Sequence, residues 1–388
     1  MKSAKCQKLS EKVSGFQPRV RHVLQAASGS FLSTLILGVF AAIFISNAAE
    51  AQEIFEFYKG TRQLGMGGAY TGIVDDSTAV LTNPAGLGKI RDFTFTLADP
   101  QLEGSFTDTN VANSSNFTQM TDPQSLLTAL NQNKGVPFHL LGQVFPSLVG
   151  ENFGFGVLGK ESYDAMVDST GTNFRLDYTK DFAAALGFCL RFFGGIIKVG
   201  VAGRIVDRTE IHQTLPASST TLSMTGLESE GLGAAGDAGL IMTAPVAGLP
   251  ALSATFRDIG GTSYNLSNGI FSATSSRPMM TAPTIDGGIS VFPILSNHVR
   301  MSITAEYHDI ATSSQEQDQM RRVHAGLEFN FADFFFLRGG MNQRYWTAGV
   351  ELSTERFQLQ AASYGEEVGT YPTNLEDRRW VGSFALRF

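Results

Sequence analysis

The run Gly65-Met66-Gly67-Gly68-Ala69-Tyr70 invites a phosphate-cradling reading. A dinucleotide fingerprint needs glycine at the first, third and sixth positions, after a strand and before a helix. Here the sixth position is Tyr70, and no apolar strand feeds the run. The glycines therefore read as a packed turn, where glycine admits positive φ and close backbone approach. Asp75 and Asp76 form a carboxylate pair, but no second group stands by for acid–base work. Ahead of Ser77-Thr78-Ala79-Val80-Leu81 they read as the N-cap of a short helical turn. His139, His212, His298, His308 and His324 show no HExxH pattern or other metal-ligand spacing. No G-x-S-x-G elbow occurs either. No catalytic residue, metal or cofactor is expected, and the chain reads as a non-enzyme.

Composition narrows the class. Charged residues make up 17% of the 388, against about 25% in soluble domains. A net charge of -7 leaves no basic footprint for nucleic acid. Of the two cysteines, Cys6 falls in a targeting segment, so Cys189 alone remains and no internal disulfide is expected.

That targeting segment spans residues 1–51. Lys2, Lys5, Lys8, Lys12, Arg19 and Arg21 precede the apolar core Phe31 to Ile45, and Ala49-Glu50-Ala51 reads as a cleavage site. A membrane anchor would want about 20 apolar residues, and this run is shorter. The mature chain is expected to start at Gln52, with residues 52–90 as a small hatch and 91–388 as the body that encloses it.

The body alternates with period two. Val299, Met301, Ile303, Ala305 and Tyr307 oppose Arg300, Ser302, Thr304, Glu306 and His308. Phe174 to Phe192 keeps mostly apolar residues on even positions, broken only by Lys180. Such a run exceeds the usual strand of about 3–10 residues and suits a tilted membrane strand. Period alone does not separate a soluble sandwich from a membrane barrel. Loop parity favours the barrel. About fourteen candidate strands are joined alternately by long polar loops and short turns. The short turns include Pro146 to Glu151, Phe193-Gly194, Pro293 to Asn297 and Ala332-Asp333. The last strand puts Trp380, Phe384, Leu386 and Phe388 on one face and ends on phenylalanine. The ending resembles that of bacterial outer-membrane proteins, which implies recognition by the barrel-assembly machinery. The expected fold is all-β, a transmembrane antiparallel barrel of about fourteen strands with an N-terminal hatch in its lumen.

Three ordered motifs carry a family resemblance: Leu64-Gly65-Met66-Gly67-Gly68-Ala69, Asp75-Asp76-Ser77-Thr78-Ala79 and Asn83-Pro84-Ala85-Gly86-Leu87. Together they resemble the FadL-type long-chain fatty-acid transporter superfamily, with its TodX-like and PorV-like relatives. The resemblance implies a bacterial (diderm) outer-membrane location. It also implies a hatch shaped by Gly65, Gly67, Gly68, Asp75, Asp76, Asn83, Pro84 and Ala85, and passage of hydrophobic molecules to a lateral gap at a kinked third strand. Gly154, Gly156 and Gly159 lie in that strand. They mark either a bend or close packing against bulky neighbours.

The inward positions Arg175, Asp177, Arg191, Lys198, Arg204, Arg257, Asp286, Arg300, Glu306, His308, His324, Glu328, Arg338, Glu351 and Arg387 make a mixed-sign wall. They read either as a network that anchors the hatch or as a polar path. A hydrophobic ligand would meet Ile73, Val80, Leu81 and Leu87 of the hatch, or the outer loops. Ser125 to Leu130 reads as a short amphipathic helix, for ligand capture or for packing over the mouth. The leading expectation is passive uptake of a hydrophobic small molecule, with outer-membrane lipid around the barrel. The alternative is a non-transporting barrel that serves as a protein-interaction or secretion-associated scaffold.

Overall fold

A computed structural model describes residues 55–105, 123–219, 226–271, 274–311, 317–369 and 372–388. The expected signal segment and residues 52–54 lie outside these.

Seventeen hydrogen-bonded segments form one antiparallel sheet, and three pairs of them are halves of a single interrupted strand, which leaves fourteen. Strand β1 comprises Thr94–Ala98 and Gln101–Ser105, and β2 comprises Phe138–Val144 and Ser147–Gly150. Then follow β3 (Phe153–Val167), β4 (Asn173–Phe192), β5 (Ile197–Pro216), β6 (Ser229–Thr243) and β7 (Ala251–Arg257). Strand β8 comprises Thr284–Val291 and Ile294–Ser296. The rest are β9 (Val299–Tyr307), β10 (Val323–Phe331), β11 (Phe335–Asn342), β12 (Tyr345–Ser353), β13 (Phe357–Glu367) and β14 (Glu376–Arg387). Each pairs with the next, and β14 pairs with β1, so the sheet closes into a transmembrane barrel with no free edge.

Alternation sets the two faces. In β4, Phe182, Leu186, Phe188 and Leu190 are exposed to the membrane side, while Ala183, Ala185 and Cys189 are buried toward the lumen. Trp380, Phe384 and Phe388 share the outward face of β14, and Phe388 exchanges two main-chain hydrogen bonds with Phe95 at the closing seam. The tight turn Ala332-Asp333 holds both residues at positive φ, 55° and 57°. That geometry matches the right-handed twist of its flanking strands.

Helix α2, Pro123–Gln132, packs elsewhere than expected. Leu126, Leu127, Ala129 and Leu130 bury against Phe138, Ala165, Val167, Phe174 and Leu176. Phe174 and Leu176 share the even, outward register of β4. The helix therefore covers the outer face of the wall at its loop end, rather than the mouth, and its leucines are buried in that contact rather than open for capture. Helix α1 (Thr61–Gly65) and two 3-10 turns (Ser77–Val80, Pro84–Lys89) belong to the hatch.

Candidate functional site: the hatch and the breaks in the wall

The hatch is bolted to the wall by charge. Arg62 grips Glu328 of β10 through two hydrogen bonds, Nε to Oε2 at 2.9 Å and Nη2 to Oε1 at 2.8 Å. Its third nitrogen reaches Asp75 Oδ1 at 2.6 Å. Tyr70 lies under the guanidinium, 5.5 Å from ring centre, and donates its hydroxyl to Asp76 Oδ2 at 2.6 Å. Asp76 then caps the helical turn, with Oδ1 accepting from the Thr78 amide at 3.0 Å. The acidic pair thus has two jobs: Asp76 is the expected N-cap, and Asp75 completes the arginine site. Burial alone would raise the Asp76 carboxyl, but Arg62 and the Thr78 and Tyr70 donors hold it below its ordinary range.

A second cluster fixes the start of the hatch. Glu56 accepts from Gln63 Nε2 at 2.7 Å and faces His308 Nδ1 at 3.1 Å. His308 stacks on His324 with centroids 4.0 Å apart, and His324 Nδ1 lies 2.9 Å from the Gly67 carbonyl. Burial disfavours the Glu56 carboxylate, yet Arg257, His308 and Lys59 pull it well below its usual value. These contacts favour the anchoring reading of the lumen charges. Arg204, Arg257, Glu306, Glu328, Arg338 and Glu351 are all buried. Arg191 and Arg300 instead sit near the turn-side rim, beside Glu151 and Asp333.

The glycines fit hatch to wall by close approach. Gly67 has φ +68°, and a Cβ there would meet the Ala325 and Met341 carbonyl oxygens at 2.5 Å. The wall answers with glycines of its own. A Cβ on Gly200 would lie 2.1 Å from the Pro84 carbonyl carbon, and one on Gly239 would lie 1.9 Å from Asn83 Oδ1. Asn83 is fully buried; it accepts from the Ala85 amide at 3.1 Å and donates to the Thr71 carbonyl at 2.8 Å. The Thr347 hydroxyl reaches the Gly65 carbonyl at 3.1 Å. Sequence reasoning missed these wall partners. The signal was there, in glycines at inward strand positions 200, 239, 326, 340 and 349.

The expected ligand-facing residues are core. Ile73, Val80, Leu81 and Leu87 are buried in one apolar cluster with Phe57, Tyr58 and Phe145. Two of the third-strand glycines exist for this packing: a Cβ on Gly154 would meet Val80 and Leu87, and one on Gly156 would meet the Phe145 ring. Gly159 faces Val144 at ordinary contact distance. Strand β3 itself is unbroken, paired with β4 at every residue from Phe153 to Val167. The β3–β4 ladder therefore has no break at these glycines.

The wall breaks elsewhere. Between β1 and β2 the ladder runs to Thr96↔Ser147, resumes at Gln101↔Gln143, and shifts register between them. Leu97-Ala98-Asp99-Pro100 stands opposite Val144-Phe145-Pro146 in the gap. The Phe145 side chain is buried beside Tyr58 of the hatch, ring centroids 5.8 Å apart. Its amide donates to Asp99 Oδ1. The Pro146 carbonyl still accepts from Val157 of β3 at 3.0 Å, so only the β1 side is open. Strand β8 is also interrupted, at Phe292-Pro293 near its turn end, with its register against β9 unchanged from Val291↔Ile303 to Ile294↔Arg300. There Phe292 donates its amide to the Gly248 carbonyl at 2.6 Å, and the Pro293 carbonyl accepts from Met301 at 3.0 Å. The Lys89 ammonium lies over the Phe292 ring, 5.3 Å from its centre, and donates to the Gly72 carbonyl at 2.7 Å. Burial lowers the Lys89 ammonium to about 8, against the pull of Asp75.

On the loop side of the hatch lies a vestibule of about 400 Å³. Phe55, Glu56 and Lys59 line it from the hatch, and Lys160, Arg208 and Arg379 from the wall. Phe55 is half-exposed there, with the Arg208 guanidinium 4.6 Å from its ring centre. The entrance is thus polar with an aromatic spot. Among the described residues, no group of three or more histidine, cysteine, aspartate or glutamate side chains could hold a metal ion.

No protein-family model and no curated protein sequence matches the chain. Solved structures do. The CymD monoaromatic hydrocarbon channel matches over 88% of this chain and 98% of its own, with TM-score 0.50 and 9% identity. A TodX monoaromatic hydrocarbon channel carrying the deltaS2S3 mutation matches over 85% and 99%, with TM-score 0.52 and 10% identity. At such identities the likeness establishes the fold.

Proposed function

The chain has the fold of the FadL-type hydrocarbon channels, and on that premise we propose that it passes a hydrophobic small molecule through a bacterial outer membrane without chemistry. The cargo enters by the vestibule, moves along the wall side of the hatch, and leaves sideways into the membrane between β1 and β2. The observation that carries this reading is the interrupted ladder at Asp99-Pro100 and Phe145-Pro146. Unpaired backbone facing lipid is costly, so a membrane wall keeps such a gap only where something covers it. Here the cover is a single carboxylate hydrogen bond and a single aromatic ring. Both can move without disturbing the β2–β3 pairing. Fatty acids and monoaromatic hydrocarbons are the cargo classes to test first, and the likeness to monoaromatic hydrocarbon channels supports the second.

The test is uptake of a labelled monoaromatic hydrocarbon and a labelled long-chain fatty acid by diderm cells expressing the full chain. Faster uptake of either, relative to cells with an empty vector, supports the reading. Equal uptake of both sinks it.

One observation favours the scaffold alternative: the hatch residues Ile73, Val80, Leu81 and Leu87 are closed into a core, and none of them lines the vestibule. On that reading the barrel is an interaction platform, and crosslinking in intact cells would trap a discrete protein partner on its loops.

A further inference from the structure

Val291-Phe292-Pro293 of β8 repeats Val144-Phe145-Pro146 of β2. The two sites share three features. In each, the proline carbonyl carries the ladder on to the next strand, and the phenylalanine amide finds an acceptor outside the ladder. In each, the ring packs against the hatch: Phe145 on Tyr58, and Phe292 on the hatch core and on a cluster of Ala85 from the hatch with Ile241 and Ala251 from the wall.

Outside the β8 break the wall is hollowed. A groove of about 670 Å³ lies there, within the size range of small-molecule sites. Met242, Pro250, Leu252, Ile289, Val291 and Ile303 line it, and it holds no charged side chain. Leu252 and Ile289 are more than half exposed, on the membrane-facing register, so the groove is continuous with the lipid-facing band. Ala251 belongs both to the groove and to the cluster under Phe292. Phe292 also packs against the hatch core, so it touches both clusters.

We propose that this groove is a second port, a binding site for an uncharged hydrocarbon that leaves the barrel past Phe292. The proposal rests on the channel reading above. The ligand is uncharged because nothing in the lining could pair with a carboxylate, and an unpaired charge is not buried in apolar surroundings.

Binding is tested by fluorescence, on full-length protein in nanodiscs. The chain has two tryptophans, Trp346 and Trp380. In a W346F/W380F background, L252W reports on the groove and L337W on a plain membrane-facing site of β11. Bromododecane is expected to quench L252W saturably and at several-fold lower concentration than L337W. A brominated phosphatidylcholine is expected to quench both alike. Equal quenching by bromododecane overturns the proposal. So does preferential quenching of L252W by the phospholipid, which would assign the groove to a lipid chain. Transport is tested with L252W/I289W, which fills the groove from outside the hatch. Uptake of labelled dodecane is expected to fall about twofold if the two ports share the flux equally. Unchanged uptake in this variant, with loss on closing the β1–β2 break, removes the second port and leaves the channel standing. No uptake by the unaltered chain removes the channel and the port with it.

Discussion

The carboxylate of Asp99 accepts the main-chain N–H of Phe145, and so ties β1 to β2 at the place where their ladder stops. Neither residue is remarkable alone. The pair matters because Pro100 and Pro146 flank it, and a proline contributes no N–H to a ladder. One side-chain oxygen replaces the missing backbone bond.

Removing that oxygen should loosen the seam. D99A leaves the Phe145 amide without an acceptor, a cost of about 1–3 kcal/mol for a buried donor. Amide exchange at Phe145 is expected to speed up, and thermal unfolding to begin at lower temperature. D99N keeps an acceptor and should restore much of the protection. Equal exchange in all three proteins would remove the tie from the account.

Arg62 holds the hatch rather than the barrel. R62A breaks the bidentate pair with Glu328, though Arg338 still reaches that carboxylate at 2.6 Å. Breaking a buried pair costs about 3–5 kcal/mol, and the remaining partner puts this case at or below the lower end. The expected result is protease cleavage within 55–90 while the barrel stays folded. R62K should rescue little, because an ammonium has no fork to match. A protease-resistant hatch in R62A would contradict this role.

Wall glycines should divide by face. G200V and G239V drive side chains into the Asn83-Pro84 turn, with overpacking costs of about 1–3 kcal/mol or more. A Cβ on Gly203 meets nothing closer than 4.0 Å, so G203A is expected to be silent. Hydrogen exchange of residues 83–88 separates the cases, and equal exchange in all three would dissolve the distinction.

Lys89 gives the hatch a pH dependence. Burial lowers its ammonium to about 8 from an ordinary value near 10.5. Between these values the unfolded chain binds more protons than the folded one, so this group makes the hatch more stable as pH rises. Exchange protection of the Lys89 turn, corrected for intrinsic rates, is expected to grow from pH 8 toward 10. K89M should flatten the trend; a slope that survives in K89M would assign it to another group.

Much of the fold was legible. Period-two alternation exposed the strands, because one face meets lipid and the other the lumen, and the turn residues marked their ends. The hatch motif was legible because Gly67 needs positive φ and Asn83 makes its own turn. The breaks were not. Pro146 and Pro293 read as the start of turns, since proline ends a ladder on its N–H side. In the structure each proline keeps its carbonyl bond to the next strand, and the strand resumes at Ser147 and at Ile294. Gly154 and Gly156 misled in the opposite sense. Their missing side chains make room for Val80, Leu87 and Phe145, and the strand that carries them stays paired with β4 along its whole length. Which glycine faces a partner and which marks a bend depends on what stands across the lumen.

The central claim is that cargo leaves between β1 and β2. Leu97 and Val144 flank the break on the membrane face and are both exposed. L97C/V144C, bridged by a short cleavable bis-maleimide, closes it; F155C/L186C bridges an intact pair of β3 and β4 as the control. The account predicts that bridging the first pair lowers hydrocarbon uptake, that cleaving the linker restores it, and that bridging the control changes nothing. Uptake unaltered by the closed β1–β2 seam would contradict it.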